Sequence, residues 1–203
     1  MTPYLRDPAE IYRRSFATIR AEAALDKLPV GLHDVAIRMI HACGMTDIVA
    51  DLSWSADFVG AARDALAAGA RVITDARMVA DGIVAPSLKG RIACVLDAAP
   101  HAPDASTTRT AAAFERARDD LADAIVVIGN APTALFRLLE LIDEGIRPAA
   151  IIGLPVGFVG AAESKAELAA HPRSTPFLTL LGRRGGSAMA AAAVNALAMG
   201  ETP

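Results

Sequence analysis

Apolar positions recur along this chain in two rhythms. Over residues 8–25, PAEIYRRSFATIRAEAAL, Ile11, Phe16, Ile19 and Ala23 fall near one face of a helix. Asp7 is placed to cap it, Pro8 suits its first position, and Glu10 stands three residues after the Asp. HDVAIRMIHAC repeats the helical rhythm and predicts a second helix closed by Gly44. Beyond it the pattern changes to short apolar runs. IVADL, RVITD, RIACVL, AIVVIGN, AAIIGLP and PFLTLLG read as strands. Between them SADFVGAARDALAAG reads as a helix capped by Ser55, ARMVADG as a short helix closed by Gly82, and RTAAAFERARDDLAD as a helix opened by Ser106, Thr107 and Thr108. PTALFRLLELIDEG, SKAELAAH and the Ala-rich SAMAAAAVNALAM complete the helices.

Continuous Val, Ile and Leu runs belong to strands buried on both faces. Their alternation with helices predicts a layered α/β fold with a mainly parallel sheet. The expectation is five main strands with helices on both sides, in a single domain over residues 1–203. DAAPHAPDAS, 97–106, is the best loop, broken by Pro100 and Pro103. No internal repeat is visible.

Composition narrows the function. The chain has 203 residues, 53% of them hydrophobic, enough for one substantial core. Its net charge is −3 with no long basic run, which argues against nucleic acid as a partner, since phosphate binding needs clustered Lys and Arg. An aromatic content of 4% argues against a base-stacking surface. Cys43 and Cys94 make neither a disulfide framework nor a zinc site, and fit a reducing cytoplasm. Residues 1–25 carry Arg6, Arg13, Arg14 and Arg20 and no signal-peptide core, and no run is long and apolar enough to span a membrane.

In parallel sheets ligands sit at the carboxyl ends of strands. Three loops there are rich in Gly: IGNAPTALF with Gly129 and Asn130, GLPVGFVGAAESK with Gly153, Gly157 and Gly160, and GRRGGSAMAAA with Gly186 and Ser187. Each is expected to present free backbone N–H groups at a helix start, suited to a carboxylate or phosphate. None carries a nucleotide fingerprint. Glycines after strands also simply make tight turns, but three such loops together point to a large anionic ligand. Arg38, Arg109, Arg183 and Arg184 lie beside these loops or near His41 and could fork onto carboxylates. Ser164 in SKAE reads as a helix cap with Glu167 as its partner, not as a nucleophile.

His41 and Cys43 in MIHACG are two residues apart on a helix and do not face the same way, so they are not a pair. Arg38 shares the face of His41. A histidine in an apolar helix is commonly a hydrogen-bonded core residue, and spacing alone leaves that reading beside proton transfer.

RSFATIRAE (14–22), RMIHACG (38–44), IGNAPTALF, PVGFVGAAESK and GGSAMAAA, in that order, resemble the precorrin-8X methylmutases of the vitamin B12 pathway. The similarity runs from about residue 6 to 199, and TTRT at 107–110 stands where Thr-Arg-Ser is expected. The resemblance implies a flavodoxin-like three-layer α/β/α fold and a homodimer with substrate near the dimer interface. It implies an isomerase that moves a methyl group from C-11 to C-12 of a polycarboxylated tetrapyrrole, precorrin-8X, giving hydrogenobyrinate, with no metal and no cofactor. It makes His41 the acid/base, and Ser15 and Arg38 substrate contacts. Arg109, Gly129, Asn130, Gly157, Gly186 and Ser187 are the remaining expected contacts. The alternatives are a cobalt-precorrin-8 methylmutase, a corrinoid carrier without activity, or a flavin-binding protein; the last is weakened by the missing phosphate fingerprint and by Trp54 being the only tryptophan.

Overall fold

A computed structural model describes residues 4–98 and 106–200. Helix α1 (Pro8–Glu22) starts as its first residues require. The Asp7 carboxylate accepts the Ala9 N–H at 3.0 Å, and Pro8 sits where an N–H would have no intrahelical acceptor. Glu10 does not close a capping box; it bonds Arg13 and Arg14 on its own helix. Helix α2 (Val30–Cys43) ends at Gly44, whose φ of 72° is the left-handed cap, its N–H donating to the Ile40 carbonyl at 2.7 Å.

IVADL is not a strand. Thr46–Asp51 is a 3-10 turn, and strand β1 (Leu52–Trp54) begins only after it. Next come α3 (Phe58–Ala67), β2 (Val72–Thr74), α4 (Arg77–Gly82) and β3 (Ile92–Cys94). Ser55 does not cap α3: its hydroxyl accepts the Phe177 N–H at 3.0 Å instead. Of the 97–106 loop, residues 99–105, with Pro100 and Pro103, lie outside the described residues.

Helix α5 (Arg109–Arg116) is capped by the Thr108 hydroxyl, and the helix expected to reach 123 breaks into a 3-10 turn at Arg118–Leu121. Then follow β4 (Ile125–Ile128), α6 (Pro132–Asp143), β5 (Ala150–Gly153), α7 (Ala161–Ala170), β6 (Phe177–Leu180) and α8 (Ser187–Met199). Helix α7 starts three residues before Ser164, from Gly160 at φ 78°. Ser164 therefore lies buried inside the helix, donating to the Ala161 carbonyl, and Glu167 pairs with Arg173.

The sheet has six strands rather than five, in the order β1-β6-β5-β4-β2-β3. Five run parallel; β1 is the added edge, antiparallel to β6 through Leu52–Leu180 and Trp54–Leu178. Alternate residues of the parallel strands enter opposite cores. Ile125, Val127, Ile152 and Leu178 pack with α1, α2, α3, α4 and α8, through Phe16, Ile40, Phe58, Val79 and Val194. Val126, Ile128, Ile151 and Phe177 pack with α5, α6 and α7, through Phe114, Leu138 and Leu168. Burial on both faces explains why these strands are continuous apolar runs in the sequence. Where the chain order reverses, β2 lies beside β4, and crevices at such a reversal are the usual ligand sites of parallel sheets.

Candidate functional site

His41 lies in the last turn of α2 and its side chain is exposed, not sealed in the core. α1 packs across it. The Ser15 hydroxyl is 2.9 Å from His41 Nδ1. Tyr12 and Phe16, on the same face of α1, flank the imidazole with ring centroids at 5.4 and 5.1 Å. Arg38, one turn back on α2, holds its guanidinium 5.9 Å from the Phe16 ring centroid, so it does share the face of His41. Its Nε is buried and has no hydrogen-bond partner among the described residues. A groove of about 280 Å³ opens here, lined by Ser15, Thr18, Glu22, His41, Gly44 and Thr46 among others. Cys43 turns away: its sulfur contacts the Ile40 and Met45 carbonyls, and burial pushes the thiol up.

This arrangement suits reversible proton transfer. Ser15 engages Nδ1, which leaves Nε2 for exchange. A hydroxyl can donate to a bare Nδ1 or accept from a protonated one, so it accommodates the imidazole in both states. Replacing Ser15 with Ala removes a hydrogen bond of about 1 kcal/mol. The expected result is turnover lowered about fivefold to tenfold with little change in thermal midpoint, read from steady-state rates and melting curves. Unchanged turnover would mean the hydroxyl does not orient the ring.

A second set of groups gathers at the reversal point. Asp75 follows β2 directly. Its carboxylate accepts the N–H groups of Gly129 at 2.9 Å, Asn130 at 2.9 Å and Ala131 at 2.7 Å. Burial pushes this carboxyl up against the downward pull of those three donors. The 128–131 loop therefore does not offer free amides: an internal carboxyl group already holds them. What remains for a ligand is the Asn130 side chain, which lines a cavity of about 390 Å³ together with Arg109, Ala76, Arg77, Met78 and Leu96.

The other two loops are also less open than expected. Gly157 donates to the Arg183 carbonyl at 3.2 Å, and Gly186 to the Leu154 carbonyl at 2.8 Å. They are packed so closely that a Cβ on Gly185 would strike the carbonyl oxygens of Leu154 and Pro155. Their free donors reduce to the first turn of α8 at Ser187, which has no side-chain cap. A Cβ on Gly129 would meet Ser187 Cα at 2.9 Å, so the first and third loops adjoin. Arg184 is engaged within the protein: its guanidinium is held by Asp47 at 2.8 Å and Asp51 at 2.6 Å. Arg183 lies over the exposed Phe158 ring, 5.4 Å from its centroid.

The structure thus brings together Ser15 and His41 in one groove with Arg38 over Phe16 nearby, Arg109 and Asn130 in one cavity, and Gly129, Gly157, Gly186 and Ser187 around two interlocked loops. Sequence reasoning missed Tyr12, Asp75 and Lys165. Tyr12 could have been found three residues before Ser15 on a helix. Asp75 stands as an acid at the end of an apolar strand, and Lys165 closes the motif AESK.

Comparison with known proteins bears on what these groups serve. The sequence model of the family described as precorrin-8X methylmutase matches residues 10–199. A precorrin-8X methylmutase from Pseudomonas aeruginosa is 55% identical over 98% of this chain and 98% of its own. One from a Sinorhizobium species is 49% identical over 96% of each chain. A cobalt-precorrin-8 methylmutase from Priestia megaterium is 34% identical, covering 97% of this chain and 90% of its own. The crystal structure of a Thermus thermophilus precorrin-8X methylmutase superposes with a TM-score of 0.84 at 35% identity, covering 94% of this chain and 95% of that one. A full-length sequence match and a matching backbone lead to the same conclusion: this chain belongs to the precorrin-8X methylmutase family.

Proposed function

We propose that this protein is an isomerase that converts precorrin-8X to hydrogenobyrinate, with His41 as the acid/base. One C–C bond to the migrating methyl breaks at C-11 and one forms at C-12, and the ring double bonds shift to match. Atoms and electrons balance within the substrate, so no redox partner or leaving group enters. Protonation of the macrocycle makes it electron-poor and eases the shift. His41 lends that proton through Nε2 and takes it back, the exchange a positioned imidazole performs in general acid–base catalysis. The observation that carries this reading is the exposed His41–Ser15 pair, 2.9 Å apart, opening on a groove beside the unpartnered Arg38 Nε.

A peripheral carboxylate of the substrate meets the Arg38 guanidinium, whose Nε has no hydrogen-bond partner among the described residues. Arg109, Asn130 and Ser187 contact it further along, with Gly129, Gly157 and Gly186 keeping the backbone low enough for a flat ring. At about 280 Å³ the His41 groove is smaller than most sites that enclose a ligand, roughly 300–1,000 Å³. A second copy of the chain therefore completes the enclosure in a homodimer. The five parallel strands counted from β2 run in the order 2-1-3-4-5, which supports a flavodoxin-like layered domain over residues 1–203 with β1 as an added edge. The free thiols of Cys43 and Cys94 fit the cytoplasm. The two relatives at 55% and 49% identity are named for the metal-free substrate, and those named for the cobalt form share 33–39%. This favours the metal-free substrate.

Incubation with precorrin-8X, followed by visible spectroscopy, tests the function directly. Conversion to the hydrogenobyrinate spectrum is expected. Tight binding without conversion would mark a carrier, and conversion of the cobalt form alone would place the enzyme in the early-cobalt branch. Arg38→Ala is expected to weaken binding about tenfold or more, the scale of one charged hydrogen bond, and the loss should be larger at low salt. A spectral titration that returns the wild-type affinity would exclude Arg38 as a carboxylate anchor.

A further inference from the structure

Lys165 is sealed inside α7 with no solvent exposure, and nothing in the proposed reaction uses it. Its ammonium donates to the backbone carbonyl of Arg184. The Arg184 guanidinium in turn grips Asp47 and Asp51. Two cations and two carboxylates thus join α7, the 182–186 loop and the Thr46–Asp51 turn. That turn begins at Thr46, which lines the His41 groove, and that loop ends at Ser187 at the start of α8. The network is the polar tie between the imidazole end of the site and its loop end.

We propose that Lys165 is a positioning residue for the methyl shift: it fixes the 182–187 loop against the segment that lines the His41 groove, so that both halves meet one rigid substrate. This rests on the reading of Gly186 and Ser187 as substrate contacts. A methionine would fill the same space without desolvating a charge. What it cannot do is donate to the Arg184 carbonyl or offset Asp51. Removing the ammonium takes one buried hydrogen bond from the loop and leaves the cluster one negative charge in excess, both unfavourable to a polycarboxylate. Among the described residues, Asp51 is the charged group that acts on Lys165 through space, and it raises the affinity for the proton; burial opposes it and prevails, lowering the pKa to about 8.

The pH dependence separates positioning from mere stability. The folded chain holds the Lys165 proton less tightly than the unfolded chain, whose lysine keeps its ordinary value of 10.5. Between the two values the unfolded state binds more protons, so the contribution of Lys165 to stability rises with pH. Loss of that same proton weakens the tie. In the wild type, KM is expected to climb through about pH 8 while the Lys165 term favours the fold. A purely structural lysine would not drive the two in opposite directions.

The experiment compares wild type, Lys165→Met and Ser187→Ala, measuring kcat and KM for precorrin-8X and the urea midpoint from neutral to alkaline pH. Lys165→Met is expected to raise KM about tenfold, the scale of one charged hydrogen bond, with kcat within about twofold and stability equal or higher. Its KM should lose the wild-type rise near pH 8. Ser187→Ala is expected to raise KM as well. If Ser187→Ala raises KM and Lys165→Met does not, the proposal falls while the loop remains a substrate contact. If neither Ser187→Ala nor Lys165→Met changes KM, the loop reading falls and the proposal with it. A Lys165→Met whose KM rises only in step with lost stability also overturns it. Should that variant fail to fold, the wild-type profile decides: a KM flat through pH 8 rejects the tie.

Discussion

His41→Ala is expected to bind precorrin-8X with near wild-type affinity and to convert it about 10²–10⁴-fold more slowly, the usual contribution of a positioned acid/base. The separation follows from how the site is built. The groove is walled by Ser15, Thr18 and Glu22 of α1 and by Gly44 and Thr46 just beyond α2, with the Arg38 guanidinium over Phe16 nearby, and the two helices rather than the imidazole set these positions. On the proposed mechanism, removing the ring deletes the proton carrier and leaves the proposed anchors. The remaining rate comes from holding a rigid macrocycle in the productive conformer. Spectral titration gives the affinity and single-turnover mixing gives the rate. Undiminished turnover would remove His41 from the mechanism; equal losses in affinity and rate would make it a binding residue.

Much of the fold was legible because its signals are local. Asp7-Pro8 and Gly44 mark helix ends by the chemistry of the first N–H and last C=O groups. The runs around Val126, Ile151 and Leu178 read as strands because a sheet covered on both faces needs apolar residues at every position. IVADL misled because a short apolar stretch fits a 3-10 turn as well as a strand. SKAE misled because the cap signal competes with Gly160, which takes the left-handed conformation four residues earlier and starts α7 there.

The site was less legible, for a physical reason. Ser15 and His41 meet across 26 residues and two helices, so no spacing rule finds them; only the resemblance of RSF and HACG to a known family put them together. The loops were expected to hold free amides because helix starts leave N–H groups unpaired. Which of those groups stay unpaired depends on strand order. Asp75 reaches Gly129 across 54 residues because β2 lies beside β4, and Gly186 reaches Leu154 because β5 lies beside β6. Partners set by the order of strands in a sheet are not written in any local window.

Asp75→Ala is expected to destabilise the protein by about 3–5 kcal/mol, since it strips one buried and two part-buried N–H groups of their acceptor and each such loss costs about 1–3 kcal/mol with partial rehydration. Against total stabilities of about 5–15 kcal/mol this is a large share. The loss is specific in its consequence. The 128–131 loop carries Asn130 into the cavity that holds Arg109, and Gly129 lies against Ser187 at the start of α8. Loosening that loop should therefore also raise KM in whatever fraction stays folded. The pH dependence has a definite sign. Burial raises the Asp75 carboxyl above its ordinary 3.8. Its contribution to stability is therefore fully present below 3.8 and falls as pH rises through the raised folded value. The gap between wild type and Asp75→Ala is expected to widen on acidification rather than close. Urea midpoints of both proteins, taken at neutral and acid pH with the slopes compared, measure it. A gap below about 1 kcal/mol, within the range of a single ordinary hydrogen bond, would show that water replaces the carboxylate and that the loop holds itself.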